Sequence, residues 1–545
     1  MEFGLAPSVY EDGFARASLP PLALWPRLEI KALGERYPAV VNAAVEILDR
    51  ALERGFGAEP CLRAPGVTWS YAELIDRSNR IAEVLRRDLG LKSGGRVLLR
   101  GVNSPMLAAC WFGVLKAGGI AVTTMPLLRV RELSEILDKA RIEIALCEAQ
   151  FEADLEAARI RAPVLSTICA FLTAAPDGLE ARMAAASGRC ETFAPSRDDV
   201  ALIAFTSGTT GKPKATLHFH RDVLAIVDTV GEHVTRFSPK DVVVGSAPLG
   251  FTYGLGSLLL LPIRRGACSV LMPRLSAEIL PGIIRDFGVT ALMIGPTLYR
   301  ALLPEIGRAD VAGIRLCCSS GEALPGAVYE AWRAKTGLSI RNLLGSTEML
   351  HAFVAADETD PSPGSLGRAL PGYEVEVFDE TMSAAPAHAV GRLGVRGPTG
   401  CRYLNDLRQQ RKYVVEGWNL TGDSAWRDED GIFWHHARTD EIIVSSGYNI
   451  SGIEIENVLL EHPDVHACAV VGAPDEARGA IPVAFVVPVR AARAGPELEL
   501  ALQEFVKRQL APYKYPRAVL FLDSLPLTQT GKVSRAKLRD ALGEF

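Results

Sequence analysis

The stretch Thr206-Ser-Gly-Thr-Thr-Gly-Lys-Pro-Lys214 is the part of the sequence around which the other motifs are organised. It follows an apolar run, Val200–Phe205, that predicts a buried strand. It precedes a helix predicted from about His218, because the later apolar residues recur at helical spacing. Glycines let backbone N–H groups approach an anion, and hydroxyls and lysines add donors and positive charge. The stretch therefore predicts a phosphate-binding loop, with a polar surface turn as the alternative.

The spacing of this loop differs from that of a Walker A motif. That motif has four residues between its first glycine and Gly-Lys, and then a Ser or Thr for magnesium. Here two residues separate Gly208 from Gly211, and Pro213 follows Lys212. The spacing excludes a P-loop kinase, so the loop has to be interpreted together with the other motifs.

Length and composition predict an ordinary globular protein of two or more domains. The chain has 545 residues, of which 48% are hydrophobic and 23% charged. The net charge of −5 gives no reason to expect nucleic acid or an anionic membrane as a partner. Ten scattered cysteines predict reduced thiols and a cytoplasmic location. We expect no secretory signal, no membrane span, and a monomer or homodimer.

The order of predicted elements indicates an α/β fold. Residues 96–148 read as strand, helix, strand, helix and strand, which predicts a parallel sheet covered by helices. Residues 149–199 predict helices and loops, and alternation resumes over 200–300. The Gly-rich stretch Val390–Gly400 predicts antiparallel strands or a small barrel. We expect a large N-terminal domain, 1–439, with doubly wound parallel sheets plus that barrel, and a small mobile α+β C-terminal domain, 440–545.

A second polar turn, Gly345-Ser-Thr-Glu348, also predicts phosphate chemistry. It offers backbone N–H groups, hydroxyls and a carboxylate. Magnesium favours few protein carboxylates together with phosphate oxygens and water. We therefore expect Thr347 to contact an α-phosphate and Glu348 to hold Mg²⁺. The alternative is a helix start with Thr347 as its cap.

Two further motifs lie nearer the C-terminus. The carboxylate of Asp423, in Thr421-Gly-Asp423, is able to accept two ribose hydroxyls, and Arg438 offers bidentate donors. A turn is the ordinary interpretation of Thr-Gly-Asp alone. Leu525–Lys532 predicts a loop that presents Lys532, and a single exposed lysine is normally solvated surface.

Together, and in this order, the motifs resemble those of the adenylate-forming superfamily. The superfamily includes acyl- and aryl-CoA synthetases, luciferases and peptide-synthetase adenylation domains. The resemblance covers about residues 60–540 and implies ATP, Mg²⁺ and coenzyme A as co-substrates and cofactor. The matching segments are SGTTGKPK (207–214), GSTEM (345–349), TGD (421–423), ARTDEIIVSSGYNIS (437–451) and PLTQTGK (526–532).

The resemblance also implies residue roles. Lys532, Thr347 and Glu348 would be catalytic, with Lys532 reaching the carboxylate and α-phosphate when the C-terminal domain closes. Asp440 would be the hinge, and Gly447 would border the CoA tunnel. The nucleotide-binding set would be Thr206, Ser207, Gly208, Thr209, Thr210 and Lys214 at the phosphates, Gly321, Glu322 and Ala323 on one adenine face, Asn342 to Gly345 on the other, Ser346 and Thr347, and Asp423 with Arg438 at the ribose.

The acid is indicated by finer likeness. Gly345–His351 looks like the benzoate-type aryl-CoA ligases, and Ala215–Ala225 looks closer to the anthranilate (2-aminobenzoate) CoA ligases. Phe251 occupies the position of the superfamily's gating aromatic residue. His351 would hydrogen-bond an ortho-amino group, or else be a structural histidine. The expected pocket consists of Phe251, Tyr253, Ser320, Gly345 and His351.

We therefore expect an aryl-acid:CoA ligase with anthranilate first and benzoate second. Transfer of the acyl group to a carrier-protein phosphopantetheine is an open alternative, because both acceptors end in the same thiol arm. A fatty-acid ligase fits the short pocket less well. A non-catalytic nucleotide-binding protein would be expected to have lost Lys532, Glu348 or Asp423, and all three are present.

Overall fold

The computed structural model describes residues 5–28, 37–206, 213–357, 362–438, 441–445, 448–475, 478–489, 492–510, 513–528 and 532–542. The α-helices are α1 Phe14–Ala17, α2 Arg50–Glu53, α3 Tyr71–Arg87, α4 Pro105–Lys116, α5 Val130–Ala140, α6 Glu152–Arg161, α7 Leu179–Ala185, α8 His220–Val230, α9 Thr252–Leu255, α10 Leu261–Arg264, α11 Leu280–Phe287, α12 Pro296–Leu302, α13 Gly326–Thr336, α14 Leu407–Tyr413, α15 Gly452–Leu459, α16 Pro496–Gln509 and α17 Arg535–Ala541. Short 3₁₀ segments lie at Leu22–Leu24 and Ala149–Phe151, and π-helical segments lie at Val45–Asp49, Gly231–Thr235 and Gly256–Leu260.

The strands of the described ranges form four sheets. They are β1 Pro60–Ala64, β2 Val67–Ser70, β3 Arg96–Arg100, β4 Ile120–Thr124, β5 Ile144–Glu148, β6 Thr167–Phe171, β7 Val200–Thr206, β8 Lys214–Phe219, β9 Val242–Gly245, β10 Cys268–Val270, β11 Ala291–Met293, β12 Leu316–Ser320, β13 Ile340–Gly345, β14 Ala352–Ala355, β15 Arg368–Ala369, β16 Glu374–Phe378, β17 Gly391–Arg396, β18 Val414–Val415, β19 Trp418–Arg427, β20 Phe433–Arg438, β21 Ile443–Ser445, β22 Tyr448–Ile450, β23 Val465–Asp475, β24 Gly479–Pro488 and β25 Ala518–Phe521.

The first sheet has the order β6-β5-β3-β4-β7-β8. Its strands β3 to β7 run parallel, as the alternation over residues 96–148 predicts. The second sheet has nine strands in the order β15-β14-β13-β12-β11-β9-β10-β1-β2, with a parallel centre. Helices α4 and α8 are almost completely buried, and their residues share one core with residues of both sheets. The predicted α/β fold with large parallel sheets is confirmed.

Two strands of the first sheet were not predicted. β6 lies in the stretch for which only helices and loops were expected, and it is five residues long at the sheet edge. β8 replaces the start of the helix that was predicted from about His218, and α8 begins at His220. β8 pairs antiparallel with β7, so the ladder holds Lys214–Phe219 extended, and the helical apolar spacing applies only from Val223 onward.

The later part of the chain forms two further sheets. Strands β16 to β20 form an antiparallel sheet, as the Gly-rich stretch predicts. Strands β21 to β25, with helices α15, α16 and α17, form a smaller α+β unit. Sheet membership changes between Arg438 and Ile443. The predicted boundary residues 439 and 440 lie outside the described residues, so the division of domains there stays a prediction.

All ten cysteines lie in the described ranges, and none forms a disulfide. All are buried except Cys190, which is half-buried. Within the part of the chain that the structure describes, no helix has the length and apolar character that a bilayer span requires.

Candidate active site

Four neighbouring parallel strands end at the same edge of the nine-stranded sheet. These strands are β13, β12, β11 and β9, in that order across the sheet. The segments that follow these strands begin, in the same order, at Ser346, Gly321, Ile294 and Ser246. Ligands of open α/β sheets bind outside the carboxyl ends of the strands. This edge is therefore the expected place for a ligand site. The predicted site residues at the ends of β12 and β13 lie next to each other there.

Gly321 and the end of the Lys532 side chain lie close together at this edge. Gly321 has a φ of +92°, which favours glycine. A β-carbon on Gly321 would lie 3.4 Å from Lys532 Cε and 3.6 Å from Nζ. Desolvation by the surrounding protein lowers the pKa of the Lys532 ammonium, and the charges of Glu322 and Asp423 oppose that shift. The ammonium thus lies near Glu322, Asp423 and Arg438, of which Arg438 adds to the shift, and Lys532 as a whole is exposed to solvent.

Strand β12, which ends just before Gly321, is held in register with its neighbour β13. Ser320 lies opposite Leu343, and its Oγ donates to the Leu343 carbonyl oxygen at 2.9 Å. Glu322 accepts from Thr297 Oγ1 at 2.8 Å. The side-chain nitrogen of Asn342 donates to the Ser365 carbonyl at 2.9 Å, so this amide supports the strand. Ala323, the residue after Glu322, is half-buried.

The Ser346–Met349 turn is held at every residue. Tyr413 Oη lies 3.3 Å from Ser346 Oγ, and His218 Nε2 lies 2.9 Å from the Thr347 carbonyl oxygen. The Tyr403 hydroxyl donates to Glu348 Oε1 at 2.7 Å. The Thr399 hydroxyl donates to the Met349 carbonyl at 2.9 Å. The next element is strand β14, so Thr347 does not begin a helix and the helix-cap alternative is wrong.

His218 is a residue whose place the sequence did not reveal. It was assigned to a helix start, whereas it lies in β8 and its ring reaches the Thr347 carbonyl. Burial lowers the pKa of His218 to about 4, with Asp222 opposing the shift and Arg402 adding to it. The ring is therefore neutral near pH 7, and Nε2 has to carry the proton because a carbonyl only accepts.

Asp423 and Arg438 face each other across the β19–β20 pair, as the sequence motifs require. Arg438 Nη1 donates to Asp423 Oδ1 at 3.2 Å. His435 Nε2 lies 3.5 Å from the same oxygen, a partner that the sequence did not reveal. Burial opposes ionisation of Asp423, but His435 and Arg438 outweigh it and hold the pKa at about 2. Asp423 is therefore a fixed anion that lies near Lys532.

The predicted acid pocket contains a ring pair. The rings of Tyr253 and His351 lie with centroids 5.5 Å apart. His351 Nε2 is 3.2 Å from Ser257 Oγ, and burial lowers the pKa of His351 to about 4. Among the described residues, His351 Nδ1 and the Tyr253 hydroxyl are buried without a well-formed hydrogen bond, although Ser257 lies near the Tyr253 hydroxyl and the Tyr253 backbone lies near the His351 ring.

Two glycines allow this arrangement. A β-carbon on Gly256 would lie 2.3 Å from His351 Cδ2, and one on Gly345 would lie 2.5 Å from the His351 carbonyl oxygen. Phe251 is half-buried and immediately precedes α9, the helix that carries Tyr253. Phe251, Tyr253 and His351 thus come from the segments that follow β9 and β13, and Ser320 and Gly345 are the last residues of β12 and β13.

Some predicted site residues lie outside the described residues. They are Ser207, Gly208, Thr209 and Thr210 of the loop, Asp440 and Gly447. The two ends of the loop are described, and Thr206 pairs with Lys214 in the antiparallel register.

The sheet edge, the held turn and the Asp423–Arg438 pair define an adenylate-forming enzyme. Residues 49–403 match the family described as AMP-binding enzymes, and residues 454–532 match the AMP-binding enzyme C-terminal domain. The chain therefore belongs to the AMP-binding enzymes, within the acyl- and aryl-CoA ligase family. This confirms the resemblance that the motifs indicate.

Several relatives are named for aromatic acids. The chain is 32% identical over 520 residues to benzoate–CoA ligase of Thauera aromatica, covering 93% of this chain and 97% of the relative. The structure of anthranilate CoA ligase AuaEII in complex with anthranoyl-AMP superposes with a TM-score of 0.88 at 30% identity, covering 93% of this chain and 98% of the other. The structure of a benzoate CoA ligase from Burkholderia xenovorans LB400 superposes with a TM-score of 0.84 at 31% identity, covering 92% of this chain and 100% of the other.

Proposed function

We propose that this protein is an ATP-dependent aryl-acid:CoA ligase with anthranilate as its preferred acid. The first half-reaction yields aryl-AMP and pyrophosphate, and the second yields the CoA thioester and AMP. The observation that carries the proposal is the close approach of Lys532 to Gly321. It brings a cation from the C-terminal part of the chain to the sheet edge that also holds Glu322 and the Ser346–Met349 turn.

The nucleotide would bind along this edge. Each group has a donor or acceptor suited to its part of ATP, since hydroxyls and N–H groups bind phosphate and a carboxylate binds ribose. Thr206, Lys214 and the loop between them would hold the β- and γ-phosphates, Gly321 to Ala323 and Asn342 to Gly345 the adenine, Ser346 and Thr347 the α-phosphate, and Asp423 with Arg438 the ribose.

Glu348 fits a magnesium ion. It is a half-buried carboxylate beside the proposed phosphate site, and its Oε1 is already oriented by the Tyr403 hydroxyl. Hard oxygen ligands of this kind suit Mg²⁺, which takes its other ligands from phosphates and water. When bound, the ion offsets phosphate charge during transfer.

The chain's own residues would address the main obstacle to the reaction, which is repulsion between two anions. A carboxylate has to approach an α-phosphate that is itself negative. Lys532 and Lys214 supply positive charge, and the sheet edge holds the groups in place. Because desolvation lowers the pKa of Lys532, adenylation should lose activity at alkaline pH as the ammonium is deprotonated.

The acid pocket supports an aryl ring with a polar ortho group. Tyr253 and His351 provide aromatic rings, and their polar atoms that lack a well-formed hydrogen bond favour a ligand that brings hydrogen bonds. Phe251, Ser320 and Gly345 would complete the pocket. Benzoate is the second candidate, because relatives named for benzoate are as similar as the one named for anthranilate.

For the second half-reaction, we infer that the segment 440–545 turns about Asp440. This would withdraw Lys532 and bring Gly447 to the CoA thiol, which then attacks the acyl carbonyl. The division into domains 1–439 and 440–545 is part of the same proposal. Buried cysteines without disulfides support a reducing, cytoplasmic location, and a monomer or homodimer is expected.

The test is formation of AMP and of CoA thioester with ATP, Mg²⁺ and CoA against anthranilate, benzoate, salicylate, 4-hydroxybenzoate and octanoate. The proposal expects anthranilate to give the highest kcat/KM. Turnover of octanoate alone would contradict the pocket. Adenylation of an aryl acid without a CoA thioester would identify a carrier protein as the acceptor.

A further inference from the structure

A segment outside all the motifs named above holds the Ser346–Met349 turn in place by hydrogen bonds. This segment runs from Thr399 to Tyr413. It supplies three contacts to the turn: Thr399 to the Met349 carbonyl, Tyr403 to the Glu348 carboxylate and Tyr413 to Ser346. The Tyr403 contact differs from the others, because it reaches the carboxylate that we assign to Mg²⁺.

The position of Tyr403 is fixed on both sides by its neighbours. Leu217 N–H donates to the Arg402 carbonyl at 2.9 Å, and Leu404 N–H donates to the Ala215 carbonyl at 2.9 Å. The backbone on either side of Tyr403 is therefore bonded to β8, the strand that follows the phosphate-binding loop.

Side chains around Tyr403 strengthen this attachment. Gln410 Oε1 accepts from the Tyr403 N–H at 2.9 Å. Arg402 and Asp222 are both fully buried and form an ion pair at 2.7 Å. The ring of Tyr413 meets that of Tyr403 edge-on, with centroids 5.8 Å apart. A ring held in this way has little freedom to follow the carboxylate, so the carboxylate has to adapt to the hydroxyl.

The Tyr403 hydroxyl can act only as a donor toward Glu348. An ionised carboxylate only accepts hydrogen bonds, so the phenol donates its hydrogen to Glu348 Oε1 over 2.7 Å. One carboxylate oxygen is engaged by this bond, and a magnesium ion needs only one oxygen of a carboxylate.

We propose that Tyr403 is a positioning residue that orients Glu348 to bind the Mg²⁺ of MgATP. The inference rests on the proposed assignment of Glu348 as the metal ligand. Partners that orient a metal ligand typically contribute about 10- to 100-fold in metal affinity. Loss of the hydroxyl alone, with the ring retained, should lie near the lower end of that range.

The test is Tyr403→Phe, which keeps the ring and removes the hydroxyl. Two quantities are measured: the free Mg²⁺ concentration for half-maximal acid-dependent ATP–pyrophosphate exchange, and the calorimetric Kd of ATP with Mg²⁺ and with EDTA. We expect the half-saturating Mg²⁺ concentration to rise about tenfold. MgATP should bind more weakly, ATP in EDTA should bind as in the wild type, and saturating Mg²⁺ should restore most of the rate.

Two variants serve as controls. Tyr37 donates to Asp228 Oδ2 at 2.6 Å, so Tyr37→Phe removes the same kind of bond away from the cleft. It should lower thermal stability to a similar extent and leave the Mg²⁺ dependence unchanged. Tyr413→Phe removes the hydroxyl beside Ser346 and leaves the bond to Glu348 in place, so it should not shift the Mg²⁺ dependence either.

Equal Mg²⁺ dependence and equal MgATP affinity in Tyr403→Phe and the wild type would overturn the inference. An equal shift in Tyr413→Phe would also overturn it, because the effect would then belong to the segment and not to the Tyr403 hydroxyl. Failure of the proposed function has a different appearance: the wild type itself would show no acid-dependent exchange, or exchange that does not respond to Mg²⁺.

Discussion

On the nucleotide side of the cleft, the two carboxylates that we assign to Mg²⁺ and to ribose have protein partners before any ligand arrives. Glu348 is bonded to Tyr403, and Asp423 lies between Arg438 and His435. On the acid side, the buried Tyr253 hydroxyl makes no well-formed hydrogen bond among the described residues, and neither does His351 Nδ1, a condition that Nδ1 of His218 and His435 shares on the nucleotide side. Buried polar groups are normally hydrogen-bonded, so the acid side has the property expected of a pocket that its ligand completes.

This difference separates two kinds of specificity. A prearranged site loses little order when it binds, and it binds ATP in the same way whatever the acid. A pocket with unpartnered groups favours an acid that supplies hydrogen bonds and disfavours one that leaves the groups unpaired. Substitutions on the two sides should therefore change different kinetic constants.

The largest effect is expected for Lys532→Ala. Removal of the ammonium should lower aryl-AMP formation by about 10²- to 10³-fold, because the charge that offsets the two anions is lost. Thioester formation from supplied aryl-AMP should remain largely intact, since the lysine is withdrawn for that step. The two half-reactions are measured separately by pyrophosphate exchange and by CoA consumption. Equal loss of both in a folded variant would refute this division of roles.

Asp423→Asn should mainly weaken ATP binding. A hydrogen bond to a charged group is worth about 1.5–3 kcal/mol, so the KM for ATP should rise about 10- to 100-fold while the KM for the acid changes little. Asp428→Asn is the matched control. Asp428 lies in the turn between β19 and β20, at the other end of β20 from Arg438. It accepts from Ile432 N–H at 2.8 Å and from Trp434 Nε1 at 3.0 Å. Steady-state kinetics that gave the same ATP effect for both variants would argue against a ribose contact.

Gly256→Ala should affect the acid side selectively. Its new methyl group would lie 2.3 Å from His351 Cδ2, so the ring has to move. We expect the KM for anthranilate to rise about tenfold and the KM for ATP to stay unchanged, because a displaced pocket wall costs about 1–3 kcal/mol. Gly282→Ala, in helix α11 with nothing within 4 Å of the new atom, is the control. An unchanged anthranilate KM would show that His351 does not border the acid.

The smallest effect is expected for His351→Leu, and only with anthranilate. The substitution removes the ring nitrogens near the proposed amino group and should lower kcat/KM about 2- to 10-fold, the value of roughly one hydrogen bond. Benzoate, which lacks the amino group, serves as the internal control. Burial lowers the pKa of His351 to about 4, so the ring is neutral from pH 6 to 9 and the preference should be constant there. Equal losses with both acids would indicate a structural histidine.

The sequence predicts some elements well because their determinants are local. The strands at 96–100 and 120–124 are short buried runs between helices, and the structure places them at those residues. β6 and β8 were missed because one is a short edge strand and the other depends on its ladder with β7. Propensity and periodicity do not encode a ladder that forms between segments.

The same distinction applies to the site. Asp423 and Arg438 were found because each stands in a contiguous motif, and the structure pairs them. Tyr403 was missed because it lies 55 positions from Glu348 and outside every motif. His435 was missed because nothing in its neighbourhood along the chain indicates an interaction with Asp423. Contacts of this kind arise from the fold, so residues that orient others are harder to predict than residues that bind ligands.

The most direct test of the account is a crystal structure of the protein with anthraniloyl-AMP bound. We predict that the ribose hydroxyls contact Asp423 and that the adenine lies between Gly321–Ala323 and Asn342–Gly345. The aryl ring should lie beside Tyr253 and His351, with its amino group within hydrogen-bond distance of His351 or joined to it by one water. An aryl ring bound elsewhere, with the nucleotide in the predicted place, would contradict the assignment of the acid pocket. A ribose away from Asp423 would contradict the nucleotide site itself.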